Sequence, residues 1–257
     1  MGIWNTHFDP YIESASGIYT GRTPYTKFGR RQNVPRDVLV DVWNGPTNDY
    51  IFTAGLIGSA GVPLYISSDN ILDTQTFLTS GINELGYEQE HTQTIEGQTK
   101  LRLGSTLNWF RFWRAITRLG DSVIGNIYIY EDTTVTDGVP DDMTKVRGFI
   151  DNGNNQTQMA IWTMPLNERG SLVDILIGTS NKVQASVSFE VYARVVGGTF
   201  ALQGTLSVNA TGTGAFQRTY SIGRQFFQGT DFIVRSISDT VGVDIISDFD
   251  IKRRLVS

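Results

Sequence analysis

Few residues in this sequence have the types and spacing that catalysis or metal binding needs. There is no cysteine, which removes disulfides, thiolate metal sites, iron–sulfur clusters and cysteine nucleophiles together. The two histidines are His7 and His91, and neither stands near a Gly-x-Ser-x-Gly elbow. Glu84, Glu88, Glu90 and Glu96 cluster closely enough to supply a carboxylate pair of the kind glycosidases use. The solvated face of a strand is the commoner explanation for such glutamates and is the first reading of them. Asp69, Asn70 and Asp73 form one oxygen-rich group, and Asp137, Asp141 and Asp142 beside Gly138 form another. Neither has EF-hand spacing, and Asx-turn chemistry accounts for both. No phosphate loop is present, and Gly212-x-Gly214 lies in a Thr-rich turn without a following helix. The sequence therefore predicts no catalytic residue, no metal and no cofactor.

Aromatic and basic side chains are better represented. In the segment 107–119 (LNWFRFWRAITRL), Trp109, Phe112, Trp113 and Ile116 fit one helical face. The aromatic density and the Gly120-Asp121-Ser122 turn that follows favour a strand instead. A strand period of two puts Trp109, Arg111 and Trp113 on one face with the guanidinium between indole rings; structural packing is the first reading of that arrangement and an aromatic contact face the second. The second group lies in residues 1–36. No acid occurs between Glu13 and Asp37, while Arg22, Lys27, Arg30, Arg31 and Arg36 accumulate there beside Tyr25 and Phe28. This stretch shows no sustained period of 2 or 3.6. It reads as an extended N-terminal arm that docks on its own body, on a sister subunit or on another protein, since cations mixed with aromatics enrich interfaces; a solvated loop is the other reading. Arg22, Tyr25, Lys27, Phe28, Arg30, Arg31 and Arg36 are its candidate partner-binding residues.

The elements that position these groups read as strands. From Asp37, short runs alternate with Gly, Asn, Asp or Pro turns at spacings typical of sandwiches and barrels. Val183, Ala185, Val187, Phe189, Val191, Ala193 and Val195 face one way, with polar residues between them. Val173–Ile177, Phe200–Val208 and Phe216–Ile222 read as separate strands, bounded by glycines. The polar stretch Asp132–Asp142 is a plausible unit boundary. The expectation is an all-β protein: an arm over 1–36, then two antiparallel β-sandwich, jelly-roll-like units over 37–140 and 141–257. Removal of residues 1–35 is expected to leave both units folded.

Composition limits the partners. The chain has 257 residues, 21 Lys+Arg against 26 Asp+Glu and a net charge of −5, which argues against general nucleic-acid binding. No signal-peptide pattern stands at Met1–Asp9. The most apolar window, residues 54–66, is too short and too glycine-rich to span a bilayer. An acidic body and a basic arm from neighbouring copies would attract each other, which suits a homo-oligomer.

Three short motifs carry a resemblance over about residues 27 to 200. They are Lys27-Phe28-Gly29-Arg30, the strand Trp109–Ile116 followed by Gly125-Asn126-Ile127-Tyr128, and Gln156-Thr157-Gln158-Met159-Ala160. Together they resemble structural proteins of tailed-bacteriophage virions, a pattern with Asn where this chain has Arg31. The resemblance implies a non-enzymatic virion component assembled in the host cytoplasm, in contact with copies of itself and with major capsid or tail proteins. A capsid-decorating, cement or head accessory protein is the first expectation. A tail, baseplate or fibre-connecting component is the second, and a carbohydrate-binding receptor module using Trp109, Trp113 or Trp162 is the third.

Overall fold

The computed structural model describes residues 22–52, 61–195 and 197–256, without the side chains of 22–24, 181–183, 210 and 220–224. The chain is all-β, built as two sandwich-like units that share a packed seam. It opens with β1 (Arg22–Val34) and the short β2 (Val40–Asp41), both of which belong to the second unit's sheet.

The first unit contains β3 (Leu64–Ser68), β4 (Thr76–Asn83), β5 (Glu88–Thr94), β6 (Leu101–Arg102), β7 (Trp109–Thr117) and β8 (Ile127–Glu131). The hairpin β9 (Val135–Thr136) and β10 (Val139–Pro140) and then β11 (Val146–Ile150) complete it. A sheet ordered β11-β8-β3-β6 faces a sheet ordered β5-β4-β7. Leu64, Ile66, Phe77, Trp109, Phe112, Ile127 and Ile129 fill the space between them. A Cβ at Gly148 would lie 2.4 Å from the Phe112 ring, so that glycine is what lets the two sheets approach. Because β11 pairs with β8, the first unit runs past the expected boundary at 140 to residue 150. The Asp132–Asp142 stretch is a hairpin inside that unit.

The second unit contains β12 (Ile161–Thr163), β13 (Glu168–Val195), β14 (Ala201–Phe226), β15 (Thr230–Ser238) and β16 (Val243–Leu255). Its architecture follows from the register of β13. One edge of β13 pairs with β14 from Gly170↔Phe226 to Ala193↔Ala201. The other edge pairs first with β16, over Glu168 to Ser180, and then with β15, over Val187 to Val195. Only Phe227–Gly229 link β14 to β15, yet Phe226 lies opposite Gly170 and Thr230 opposite Val195, 195 − 170 = 25 residues further along β13. A straight strand would separate those points by about 80 Å. The β13–β14 hairpin is therefore folded over its own inner face. The fold lies where the register slips between Asn181 and Ala185 and where Gly212 takes a φ of 83°. Ring centroids of Phe232 on β15 and Phe249 on β16 stand 4.6 Å apart across the resulting core.

Two expected breaks are thus absent. Gly178 does not end a strand: it leaves room for Ile246, which a Cβ would approach to 2.9 Å. Gly212 is the corner of one continuous strand, so the expected runs 200–208 and 216–222 are both parts of β14.

Over its described residues the arm docks on the chain's own body, and the partner-docking reading is corrected there. Residues 22–34 form β1, paired antiparallel with β16 from Arg22↔Arg254 onward. Tyr25, Lys27, Gly29 and Arg31 face inward, while Thr26, Phe28 and Arg30 face out. The alternation was invisible to hydropathy because cations and a glycine line the inner face. The remainder of the arm, with His7, lies outside the described residues.

Candidate functional site

The strand β7 decides where the most conspicuous side chains go. Its register against β4 slips twice, so that Trp113 and Phe110 are extra residues opposite Ser80/Gly81 and Ile82/Asn83. Each bulge shifts the phase of the strand by one. Trp109, Phe112 and Ala115 therefore enter the first unit's core, while Phe110 and Trp113 enter the second's. The spacing of three that mimicked a helix is the signature of these bulges. Trp109, Arg111 and Trp113 do not share a face, and they are 0%, 3% and 1% exposed. Trp162 is buried beside Trp113, with ring centroids 5.9 Å apart. None of these indoles can stack on a sugar without unfolding the core, so the contact face read from the sequence is overturned.

Charge collects in the same seam. Arg111 donates from Nε and Nη2 to the two oxygens of buried Asp231 on β15, at 2.9 and 3.1 Å. Arg194 on β13 donates to the same carboxylate at 2.9 Å, and the Thr163 hydroxyl at 2.7 Å. The guanidinium of Arg111 lies 4.0 Å from the Phe110 ring centroid, and that of Arg194 lies 4.3 Å from the Phe200 centroid. A second buried carboxylate, Asp41, accepts from Arg235 at 2.8 Å and from the Tyr50 amide at 2.5 Å. Burial pushes Asp41 up to about 6 despite the opposing pull of Arg235. Removing charges from water is costly, and these are tolerated because each has geometrically good partners. Arg194, Arg235, Asp41 and Asp231 were not singled out in the sequence. Each sits alone among strand residues, and only the tertiary pairing brings them together.

The basic residues of β1 are largely spent inside the chain. Lys27 is buried, donates to the Trp113 carbonyl, and is held well below its usual pKa by desolvation. Arg31 donates to the carbonyls of Gly45 and Thr47 and to Asn48 Oδ1. Tyr25 packs against both Trp113 and Trp162 and beneath Arg253, and burial raises its phenol above the usual value. Lys27, Arg31 and Tyr25 are therefore not free to bind a partner. Phe28 and Arg30 remain on the outer face, where Arg30 pairs with Asp244 at 3.6 Å. Arg36 is exposed, and its partner is the adjacent Asp37. The side chain of Arg22 lies outside the described residues.

The polar clusters are structural. Asp73 is fully buried and accepts from the Ile124 and Gly125 amides and from the Ser68 hydroxyl. Asp69 accepts from the amide and side chain of Asn126. Asp141 holds Thr136 at 3.0 Å, and Asp142 caps a short 3₁₀ turn at Met143–Lys145. His91 sits on β5 between exposed Glu90 and Thr92, 3.5 Å from Gln93. Among the described residues no helix is long and apolar enough to cross a membrane.

What the seam lacks, the edge of the second unit has. Among the described residues β14 pairs only with β13, so its other edge presents unpaired backbone donors and acceptors. Over 26 residues it contains two arginines, no acid, no lysine and no proline. Leu202 and Phe216 project from it into solvent. Natural sheets usually blunt an edge with charge, proline or short length, and β14 has little of this protection.

No family model matches the sequence, and no curated protein matches it. Among solved structures, the chain is loosely similar to TmCBM61 in complex with β-1,4-galactotriose. Identity there is 11%, over 56% of this chain and 71% of the other, with a TM-score of 0.22. It is similar in the same degree to the cowpea mosaic virus top component, with 10% identity, 76% and 82% coverage and a TM-score of 0.24. Infectious bursal disease virus, Gx strain, gives 8% identity, 92% and 76% coverage and a TM-score of 0.21. At these TM-scores the likenesses carry nothing about binding or assembly over to this chain.

Proposed function

We propose that this chain is a non-enzymatic structural component of a tailed-phage virion, a capsid-decorating or head accessory protein that works by contact with its own copies and with neighbouring virion proteins. The observation that carries this reading is β14: a long, charge-poor strand whose open edge offers a neighbouring chain a ready backbone ladder. The seam supports it from the other side. The aromatic and charged groups singled out on β7, together with Trp162, Arg194 and Asp231, are buried or paired between the two units. The resemblance in Lys27–Arg30, Trp109–Ile116 and Gln156–Ala160 supplies the virion context.

Quantitative mass spectrometry of purified particles from a phage encoding the chain tests the proposal. Hundreds of copies per particle are expected for a head protein, and the number of a single ring would move the chain to the tail or baseplate. Absence from the particle contradicts the reading.

A further inference from the structure

The outer face of the β1–β16–β13–β14 sheet carries its charge in two blocks. On β16 the residues alternate strictly, with Ile245, Phe249 and Ile251 in the core and Ile246, Asp248 and Asp250 facing out. Register then places the outward neighbours. Arg254 lies beside Arg169, and Lys252 beside Ser171. Asp250 lies between Thr26 and Asp174, and Asp248 between Phe28 and Leu176. A basic end thus gives way, over two rows, to an acidic middle flanked by Phe28, Leu176 and Ile246. Residues on one face of a strand repeat every ~6.7 Å, so Arg254 and Asp250 are about 13 Å apart.

Lys252 has an interaction partner, but the other charges of these blocks are poorly compensated among the described residues. Asp174 and Asp250 stand directly opposite each other in register, an arrangement that costs stability. Asp250 accepts from the Thr26 hydroxyl at 2.6 Å, and Asp174 from Gln217 and Thr219 at 2.8 and 2.9 Å. Among the described residues no cation pairs with either, and one oxygen each of Asp174 and Asp248 is shielded from water without a hydrogen-bond partner. Arg169 and Arg254 are exposed and form no ion pair among the described residues; Arg169 lies only over the Phe227 ring.

We infer that two copies of this chain pack these outer sheet faces together about a two-fold axis, the basic end of each lying over the acidic middle of the other. An isologous contact of this kind needs one patch with both signs, displaced along a line, which is what the rows from Arg254 to Asp248 provide. Four strands by four rows cover about 19 by 27 Å, or about 1,000 Å² in total from both copies. That is at the low end for a specific interface, so the pair should be reversible and salt-sensitive. Burial, reinforced by Asp250 and Asp174, also holds Asp248 up at about 6 in the single chain, a strain that a partner's arginines would relieve. The inference stands independently of the virion reading.

Light scattering on the eluting full-length chain tests it. The wild type should be a dimer at low salt, its dissociation constant rising about tenfold between ~0.05 and ~0.5 M NaCl. The doubly reversed chain Arg169→Glu/Arg254→Glu should be monomeric, as should Asp174→Arg/Asp250→Arg, each with an unchanged circular dichroism spectrum. An equimolar mixture of the two should recover a dimer. A wild type that is monomeric at low salt, or a dimer indifferent to the exposed Arg169→Glu/Arg254→Glu change, overturns the inference even if the acidic-block variant fails to fold.

Discussion

The seam between the units and the outer edge of the second unit treat polar groups in opposite ways. In the seam, Arg111, Asp41 and Asp231 are withdrawn from water, Arg194 and Arg235 only partly so, and the charges are matched to one another and the guanidiniums to aromatic rings. Along β14 a strand of 26 residues has no partner on its outer edge among the described residues and few charges to defend it. The difference separates cohesion from contact. The seam spends strong, well-oriented interactions on making two sandwiches into one body, and the edge leaves weaker, repetitive ones available to a neighbour.

That contrast breaks most severely where β1 is removed. Truncation to residue 36 takes away Tyr25, Lys27, Gly29 and Arg31, which line the seam, and exposes the flank of β16. The truncated chain should fail to give a cooperative thermal transition by circular dichroism. A transition close to that of the full chain would return residues 22–34 to the status of a detachable arm. Next in size is Asp231→Ala, which strands two arginines. Breaking a buried pair on one side costs about 3–5 kcal/mol, and the melting temperature should fall by roughly 10 °C or more. A drop of only a degree or two would mean that water already solvates the site.

Smaller effects sharpen the picture through pH. The folded pKa of Lys27 is depressed below its ordinary value of 10.5, so across that window the unfolded chain holds more protons. Denaturant titrations should show stability rising as pH climbs toward 10.5, and Lys27→Met should lack that component of the rise. Asp248 has the opposite sign: a carboxyl raised from 3.8 to about 6 binds more protons folded than unfolded. Its contribution to stability falls as pH rises through that interval. Asp250 on its own strand and Asp174 on β13 face it, while Phe28 and Leu176 beside it are uncharged. At high salt and pH 7, Asp248→Asn should stabilise the chain by less than ~1 kcal/mol, since water screens a half-exposed group, and the gain should vanish below pH 4. Smallest of all for stability is Leu202→Lys/Phe216→Lys on β14, expected to stay within about 0.5 kcal/mol of wild type. The same pair should nonetheless block incorporation into particles.

The sequence made the fold class legible, and the reasons are visible in particular residues. From Ala185 to Ala193 the inner face of β13 is unbroken apolar alternation, and turn residues punctuate most of the chain. What stayed hidden follows from three physical causes. Lysine, arginine and glycine on the inner face of β1 carry no hydropathy signal, because their burial depends on partners contributed by distant strands. Gly178 and Gly212 look like strand ends, whereas one makes room for Ile246 and the other turns a corner within a continuous strand. Bulges at Phe110 and Trp113 cannot be read from β7 alone, since they are defined by its register on β4, and they reassigned the whole aromatic face. The open edge was hidden for the second of these reasons, β14 having been read as two short strands.

On the proposed function, contact with neighbours runs through the β14 edge, which has no second strand among the described residues, and not through the packed seam. Hydrogen–deuterium exchange on the isolated chain and on purified particles tests this most directly. The outward amides of β14 should exchange freely in the isolated chain and become protected in the particle, while the seam strands β7, β13 and β15 stay slow in both. A particle that contains the chain but leaves β14 as unprotected as it is in isolation would contradict the account.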